Sequence, residues 1–259
     1  MCGTMRWKSS NAHHHYRPET MTQYIDFERL EALDVAAFRA TKPYPWVNPE
    51  KLITDEGYKL LCENMPDVSM FKKNFGYERR AGQQPHDRYS LEYVEGMAIP
   101  KPWEDFIKEL RSDRYRNVIA KLFNTKNPEF RFHWHYAPRG ASVSPHCDSK
   151  REYGSHLFYF NTENDWDPAW GGETLVLDDG GRMDPNSAPA FEDFDQIIPC
   201  KSLGNVSAIL ERSARGWHGV REITCPEDKM RQIFIIVVNP SNLFWKVRDK
   251  LIGKQIQRL

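Results

Sequence analysis

The sequence predicts a mainly β fold, an antiparallel sandwich or barrel with helices packed outside one sheet. Two observations predict it. Apolar residues recur at helical spacing in the first half of the chain, and after Asn127 the spacing falls to two. The change is clearest where Phe130, Phe132, Trp134 and Tyr136 alternate with Arg131, His133 and His135, as in a strand with two unlike faces.

In chain order, residues 1–20 read as a polar, irregular tail with a His13-His14-His15 run and no apolar stretch of the secretory kind. Helical spacing follows over Asp26–Thr41, Thr54–Asn64 and Pro102–Phe123. Asn74–Ile99 is irregular and polar with interspersed aromatics, a mixture of short strands and loop. Beyond the alternating segment, Ser155–Asn161, Glu173–Leu177, Asn205–Leu210 and Gln232–Asn239 read as strands, separated by Gly, Pro, Asn and Asp clusters. The organisation expected is one domain over residues 21–259: a mostly helical support and substrate region (21–126), a β core (127–240) and a C-terminal helix (241–259).

Composition narrows the function. Lys+Arg and Asp+Glu both total 36 in 259 residues, so the chain lacks the surplus positive charge of a nucleic-acid binder. Its longest strongly apolar run, Ile233–Val238, falls far short of the roughly 20 residues a membrane helix needs. The five cysteines (Cys2, Cys62, Cys147, Cys200, Cys225) are odd in number and form no C-x-x-C pair, which fits a reduced, cytoplasmic setting. Oligomeric state leaves no mark in the sequence.

Three places carry candidate chemistry. His146 and Asp148 lie two apart, so on an extended segment both side chains point to one face and can share an ion. His218 follows an apolar strand and is flanked by Gly216 and Gly219, which permit close approach of the backbone. Two imidazoles and one carboxylate form the facial triad of non-haem Fe(II) oxygenases, with coordination positions left open. Arg231 leads the apolar run Gln232–Val238, where its charge calls for an anionic partner and its planar fork suits a carboxylate.

Taken in order, His146-x-Asp148, the aromatic strand Leu157–Asn161, Asp165-Trp166-Asp167, Gly171-Gly172-Glu173-Thr174-Leu175, His218 and Arg231 resemble the Fe(II)/2-oxoglutarate-dependent oxygenases of the prolyl 4-hydroxylase type. The resemblance covers roughly Phe130 to Pro240. It implies a double-stranded β-helix, or jelly-roll, core. It further implies that His146, Asp148 and His218 are catalytic ligands of Fe(II), that Arg231 holds the far carboxylate of 2-oxoglutarate, and that Tyr136 and Tyr159 hydrogen-bond this co-substrate. O2 is the second co-substrate and ascorbate an optional reductant. The implied reaction hydroxylates an aliphatic C–H of a small molecule, amino acid or peptidyl residue and releases succinate and CO2; desaturation or ring closure needs the same apparatus. Related halogenases replace the carboxylate ligand by Gly or Ala, so Asp148 disfavours halogenation.

Alternatives stay open at this level. A jelly-roll sensor or binding module would close its metal site with a fourth ligand, which His156 or Cys147 can offer, and a Zn²⁺ hydrolase would use the same three ligands. His133, His135 and His156 read as pocket-facing or as packed strand histidines. Glu78-Arg79-Arg80 with His86-Asp87-Arg88-Tyr89 is either a binder of a charged or zwitterionic small molecule or a solvated loop. Asp178–Pro189 and the acidic Glu192–Asp195 are either a lid or exposed loop.

Overall fold

The computed structural model describes residues 22–77, 79 and 82–241. The tail expected over 1–20 and nearly all of the helix expected over 241–259 lie outside the described residues.

Helical spacing is realised, with breaks that polar side chains impose. Asp26–Thr41 becomes two short helices, α1 (Phe27–Glu31) and α2 (Val35–Ala40), because the carboxylates of Asp26 and Asp34 each accept a backbone N–H and start a helix of their own. The third, α3 (Asp55–Glu63), begins at the Thr54 hydroxyl, which accepts from Gly57 N at 3.1 Å. Pro102–Phe123 divides into α4 (Lys101–Leu110) and α5 (Asp113–Leu122) at Ser112, whose hydroxyl accepts from Tyr115 N.

Two antiparallel sheets form the core. The strands are β1 (Trp46–Val47), β2 (Lys72–Asn74), β3 (Arg88–Glu92), β4 (Glu129–Pro138), β5 (Val143–His146), β6 (Gly154–Tyr159), β7 (Leu175–Asp178), β8 (Gln196–Pro199), β9 (Ser207–Glu211), β10 (His218–Val220) and β11 (Met230–Asn239). The larger sheet runs β1-β9-β6-β11-β4-β3-β2 and the smaller β5-β10-β7-β8. Three strands of the larger sheet, β1 to β3, come from the region expected to be mostly helical, so that region builds part of the core sheet as well as covering it.

Strand parity assigns the faces. In β4 and β11, Trp134 pairs with Phe234 and Phe132 with Ile236, and these side chains meet Trp103 and Phe106 of α4 and Tyr115 of α5 in the main apolar cluster. The opposite face carries Tyr159, Leu157 and Ile233, which meet Val176 of the smaller sheet in the space between the sheets. The smaller sheet's outer face, Leu175 and Leu177, is covered by Phe194 and Trp217. No helix among the described residues is long and apolar enough to cross a membrane.

Candidate metal centre

His146 ends β5, His218 begins β10, and the two are directly opposite in the β5–β10 pairing. Their rings lie 4.4 Å apart, and Asp148, just past β5, places one carboxylate oxygen 3.7 Å from His146 Nε2 and 3.6 Å from His218 Nε2. Gly219 makes the close pairing possible: a Cβ there would stand 2.7 Å from the Val143 carbonyl oxygen. Among the described residues this is the one group of three or more His, Cys, Asp or Glu side chains able to share an ion.

Each histidine is oriented by its own strand. Nδ1 of His146 donates to the Ser144 carbonyl and Nδ1 of His218 to the Gly216 carbonyl, both at 2.9 Å, which leaves each Nε2 lone pair facing the carboxylate. Burial, with His218, His86 and Arg79 nearby, holds the His146 imidazole well below its usual pKa and so neutral. Two imidazole Nε2 atoms and a carboxylate oxygen thus converge on one point, an arrangement that fits a divalent cation.

Arg231 lies on the inner face of β11 and is buried. Its Nε donates to the Gly172 carbonyl, its Nη2 to Thr174 Oγ1 at 3.2 Å, and its guanidinium sits 5.7 Å from the Tyr159 ring centre. The Tyr159 hydroxyl also donates to Thr174 Oγ1, at 2.7 Å. Thr174 therefore accepts two hydrogen bonds and keeps its own proton to donate. No carboxylate among the described residues pairs with Arg231, so a buried cation and a free hydroxyl proton face the same space. Since Val176 stands opposite His218, Thr174 is the preceding residue on that face, about 7 Å along β7.

Tyr136 does not join this group, which corrects the expectation that it binds the co-substrate. It shares parity with Trp134 and Phe132 on the helix-facing side, where its hydroxyl donates to the Pro66 carbonyl at 2.9 Å and its ring packs 4.2 Å from Phe71. His156 is likewise on that side, hydrogen-bonded to the Tyr115 hydroxyl at 2.9 Å. Cys147 points away from its neighbours into the outer cluster of the smaller sheet. Neither supplies a fourth ligand. His133 and His135, by contrast, share the inner face, paired with Glu92 and Ser90 of β3.

The segment before β3 covers the site. The His86 ring stands 4.6 Å from that of His146, with Arg79 Nη1 donating to its Nδ1 at 2.8 Å. Because arginine only donates, the imidazole proton is on Nε2, which donates to Ser144 Oγ at 3.2 Å. Gln83 Nε2 donates to the Ser187 carbonyl, so the loop before β3 meets the loop after β7 across a cavity of ≈ 180 Å³ bounded by Ser144, Gln84 and Pro189. The acidic side chains of Glu192–Asp195 are at the surface, where Glu192 pairs with Arg221 and Asp195 with Arg182, while Phe194 between them is buried over the smaller sheet. Thr174 and Ser144 were legible only as parts of motifs, and the burial of His86 against a ligand left no local signal.

No protein-family profile matches the chain, and no curated protein matches it by sequence. Solved structures do. A Pseudomonas putida prolyl-4-hydroxylase superposes with a TM-score of 0.56 at 16% identity, covering 81% of this chain and 100% of that one. A Trichoplax adhaerens prolyl hydroxylase, in complex with a hypoxia inducible factor oxygen degradation domain peptide fragment, gives 0.56 at 10% identity, covering 88% and 94%. SnoK, a non-heme alpha-ketoglutarate-dependent carbocyclase from nogalamycin biosynthesis, gives 0.56 at 10% identity, covering 83% and 87%. The fold is therefore the jelly roll of the 2-oxoglutarate/Fe(II) oxygenases, of the prolyl 4-hydroxylase kind.

Proposed function

We propose that the protein is an Fe(II)- and 2-oxoglutarate-dependent oxygenase that hydroxylates an aliphatic C–H bond of a small molecule, amino acid or peptidyl residue. The observation that carries this reading is the pairing of two features on the inner face: the convergent His146, Asp148 and His218 donors, and the buried Arg231 without a carboxylate partner among the described residues. A hydrolase or a closed metal sensor would use the first and leave the second unexplained.

Fe(II), when bound with 2-oxoglutarate and O2, supplies the oxidising power that exchanges a C–H for a C–OH bond with release of succinate and CO2. The chain's own residues provide the geometry. His146 and His218, held by the Ser144 and Gly216 carbonyls, would present Nε2 to the metal, and Asp148 would add a carboxylate oxygen. Arg231 receives the far carboxylate, to which Thr174 donates its remaining proton, and the Tyr159 hydroxyl fixes the Thr174 rotamer. His86, locked between Arg79 and Ser144, closes over His146 and limits water.

The test adds Fe(II) and then 2-oxoglutarate to metal-free protein without oxygen, following the visible absorption of the chelate. The band is expected in the wild type and is lost in His146→Ala and weakened in Arg231→Ala. Iron binding without a band in the wild type overturns the proposal.

A further inference from the structure

The inner wall beside the metal centre holds positive charge that neither the metal nor the co-substrate uses. Arg88, Ser90 and Glu92 share one face of β3, and Ser90 and Glu92 stand opposite His135 and His133. Glu92 is occupied by Arg131, 3.6 Å away, and lies 4.0 Å from His133. That leaves Arg88 and Arg79. Neither forms a close ion pair with a carboxylate among the described residues: Asp87, which accepts the Gly76 N–H at 2.8 Å, acts on Arg88 only at longer range, as Asp148 does on Arg79.

Arg88 Nη1 donates to the His86 carbonyl at 2.8 Å, while its buried Nε has no hydrogen-bond partner. His135, only 8% exposed, likewise has a buried Nε2 without a partner. Burial and the nearby Arg79 hold Arg88 below the usual arginine range, at about 10, and its charge is felt by His86, His133 and His135. The His133 and His135 imidazoles are themselves kept neutral, chiefly by burial. The wall is thus two guanidinium groups among neutral rings, adjoining His146 through His86. Two like charges brought together where both are partly withdrawn from water are costly unless an anion joins them.

We infer that the substrate carries an anionic group, a carboxylate or a phosphate, which Arg88 and Arg79 receive on the inner wall while His135 Nε2 meets its polar atoms. This deepens the oxygenase reading, on which it rests, by naming the chemical class of the substrate. A guanidinium fork takes a carboxylate or phosphate through parallel hydrogen bonds, and here it anchors one end of the molecule with the rest directed toward the metal.

The test uses full-length protein loaded with Zn(II) and 2-oxoglutarate, which cannot turn over, titrated calorimetrically with matched probes: hexanoate and hexanamide, L-leucine and L-leucinamide, and hexyl phosphate. At least one carboxylate is expected to bind about tenfold more tightly than its amide, or hexyl phosphate about tenfold more tightly than hexanamide. The carboxylate and phosphate arms decide which anion fits. Arg88→Gln is expected to reduce that preference to within about twofold, and Arg88→Lys to restore part of it, which separates lost charge from misfolding. Equal binding of acids and amides, no binding by any probe, or a preference unchanged in Arg88→Gln overturns the inference. Should the preference follow Arg231→Gln instead, the anion is occupying the co-substrate site and the inference fails. Absence of the Fe(II) chelate band, with the Arg88-dependent preference intact, would sink the oxygenase reading and leave the anion site standing.

Discussion

At the scale of single residues, two tyrosines of one sheet have opposite roles because their strand parity differs. Tyr159 lies under Arg231 and bonds Thr174, whereas Tyr136 spends its hydroxyl on Pro66 beneath the helices. Tyr159→Phe is expected to weaken 2-oxoglutarate binding roughly fivefold, because Thr174 loses the hydrogen bond that fixes its rotamer beside Arg231, while Tyr136→Phe leaves it within about twofold. Titration of the chelate absorption measures both; a reversed order would put the wrong face toward the co-substrate. A second residue, His156, has a pH signature. Burial pushes its imidazole down to about 3, against about 6.5 when free. Between these values the unfolded chain binds a proton that the folded chain refuses, so the stability is complete above about pH 6.5 and is lost as pH falls toward 3. His156→Phe leaves the Tyr115 hydroxyl unpartnered and lowers stability at every pH. Its dependence on pH, in denaturant unfolding between pH 6.5 and 4.5, is nevertheless expected to be shallower by about 1.4 kcal/mol per unit. An unchanged slope would mean that His156 protonates in the folded state.

Among elements, the β5–β10 pairing decides whether the candidate metal ligands meet. A methyl group at Gly219 would stand 2.7 Å from the Val143 carbonyl oxygen and 3.0 Å from the Phe191 ring, so Gly219→Ala must push β10 away from β5 and carry His218 with it. Mn(II) affinity is expected to fall about tenfold or more. Gly204→Ala is the control: its φ of 75° brings backbone strain, but no atom lies within 4 Å, so it should cost stability and spare metal affinity. Equal loss of affinity in both variants would remove the steric argument. The same elements show what was legible in the sequence. His146-x-Asp148 was readable because its two ligands share a face through local geometry alone, and β4 and β11 because their apolar periodicity is long. The helix breaks at Asp34 and Ser112 were also written locally, as capping side chains, and were missed within longer apolar periods. Tyr136 was misassigned although its parity with Trp134 was visible. What parity could not show is which face of β4 turns inward: here the polar face, with His133 and His135, lies on the side facing the smaller sheet, and the aromatic face meets the helices. Arg88 was legible as one of two alternatives, part of a binder of a charged small molecule or of a solvated loop, and a strand reading Arg-Tyr-Ser-Leu-Glu, which ordinarily turns its charges to solvent, could not decide between them.

For the whole molecule, the candidate site straddles the two sheets, and this division is open to measurement. His146, His218 and Asp148 belong to the smaller sheet and the segment just past β5, whereas Arg231 and Tyr159 belong to the larger sheet. Thr174, at the entrance to β7, is the hydrogen-bonded link between them. Under the proposed function, a metal ion alone would tie together parts of one sheet, and 2-oxoglutarate bound to it would tie that sheet to β11. Ligands that bind only the folded state stabilise it by mass action, about 2.7 kcal/mol at a hundred times Kd, and each kcal/mol raises Tm by roughly 2–4 °C in a chain of this size. Saturating Mn(II) without oxygen is expected to raise Tm by about 5–10 °C, and 2-oxoglutarate to add a second increment of similar size. Asp148→Ala should lose both increments, because the second ligand is anchored through the first. Arg231→Gln should keep the metal increment and lose most of the second. If 2-oxoglutarate stabilises the protein equally with and without metal, the two ligands do not share a site, and the division of labour between the sheets is wrong.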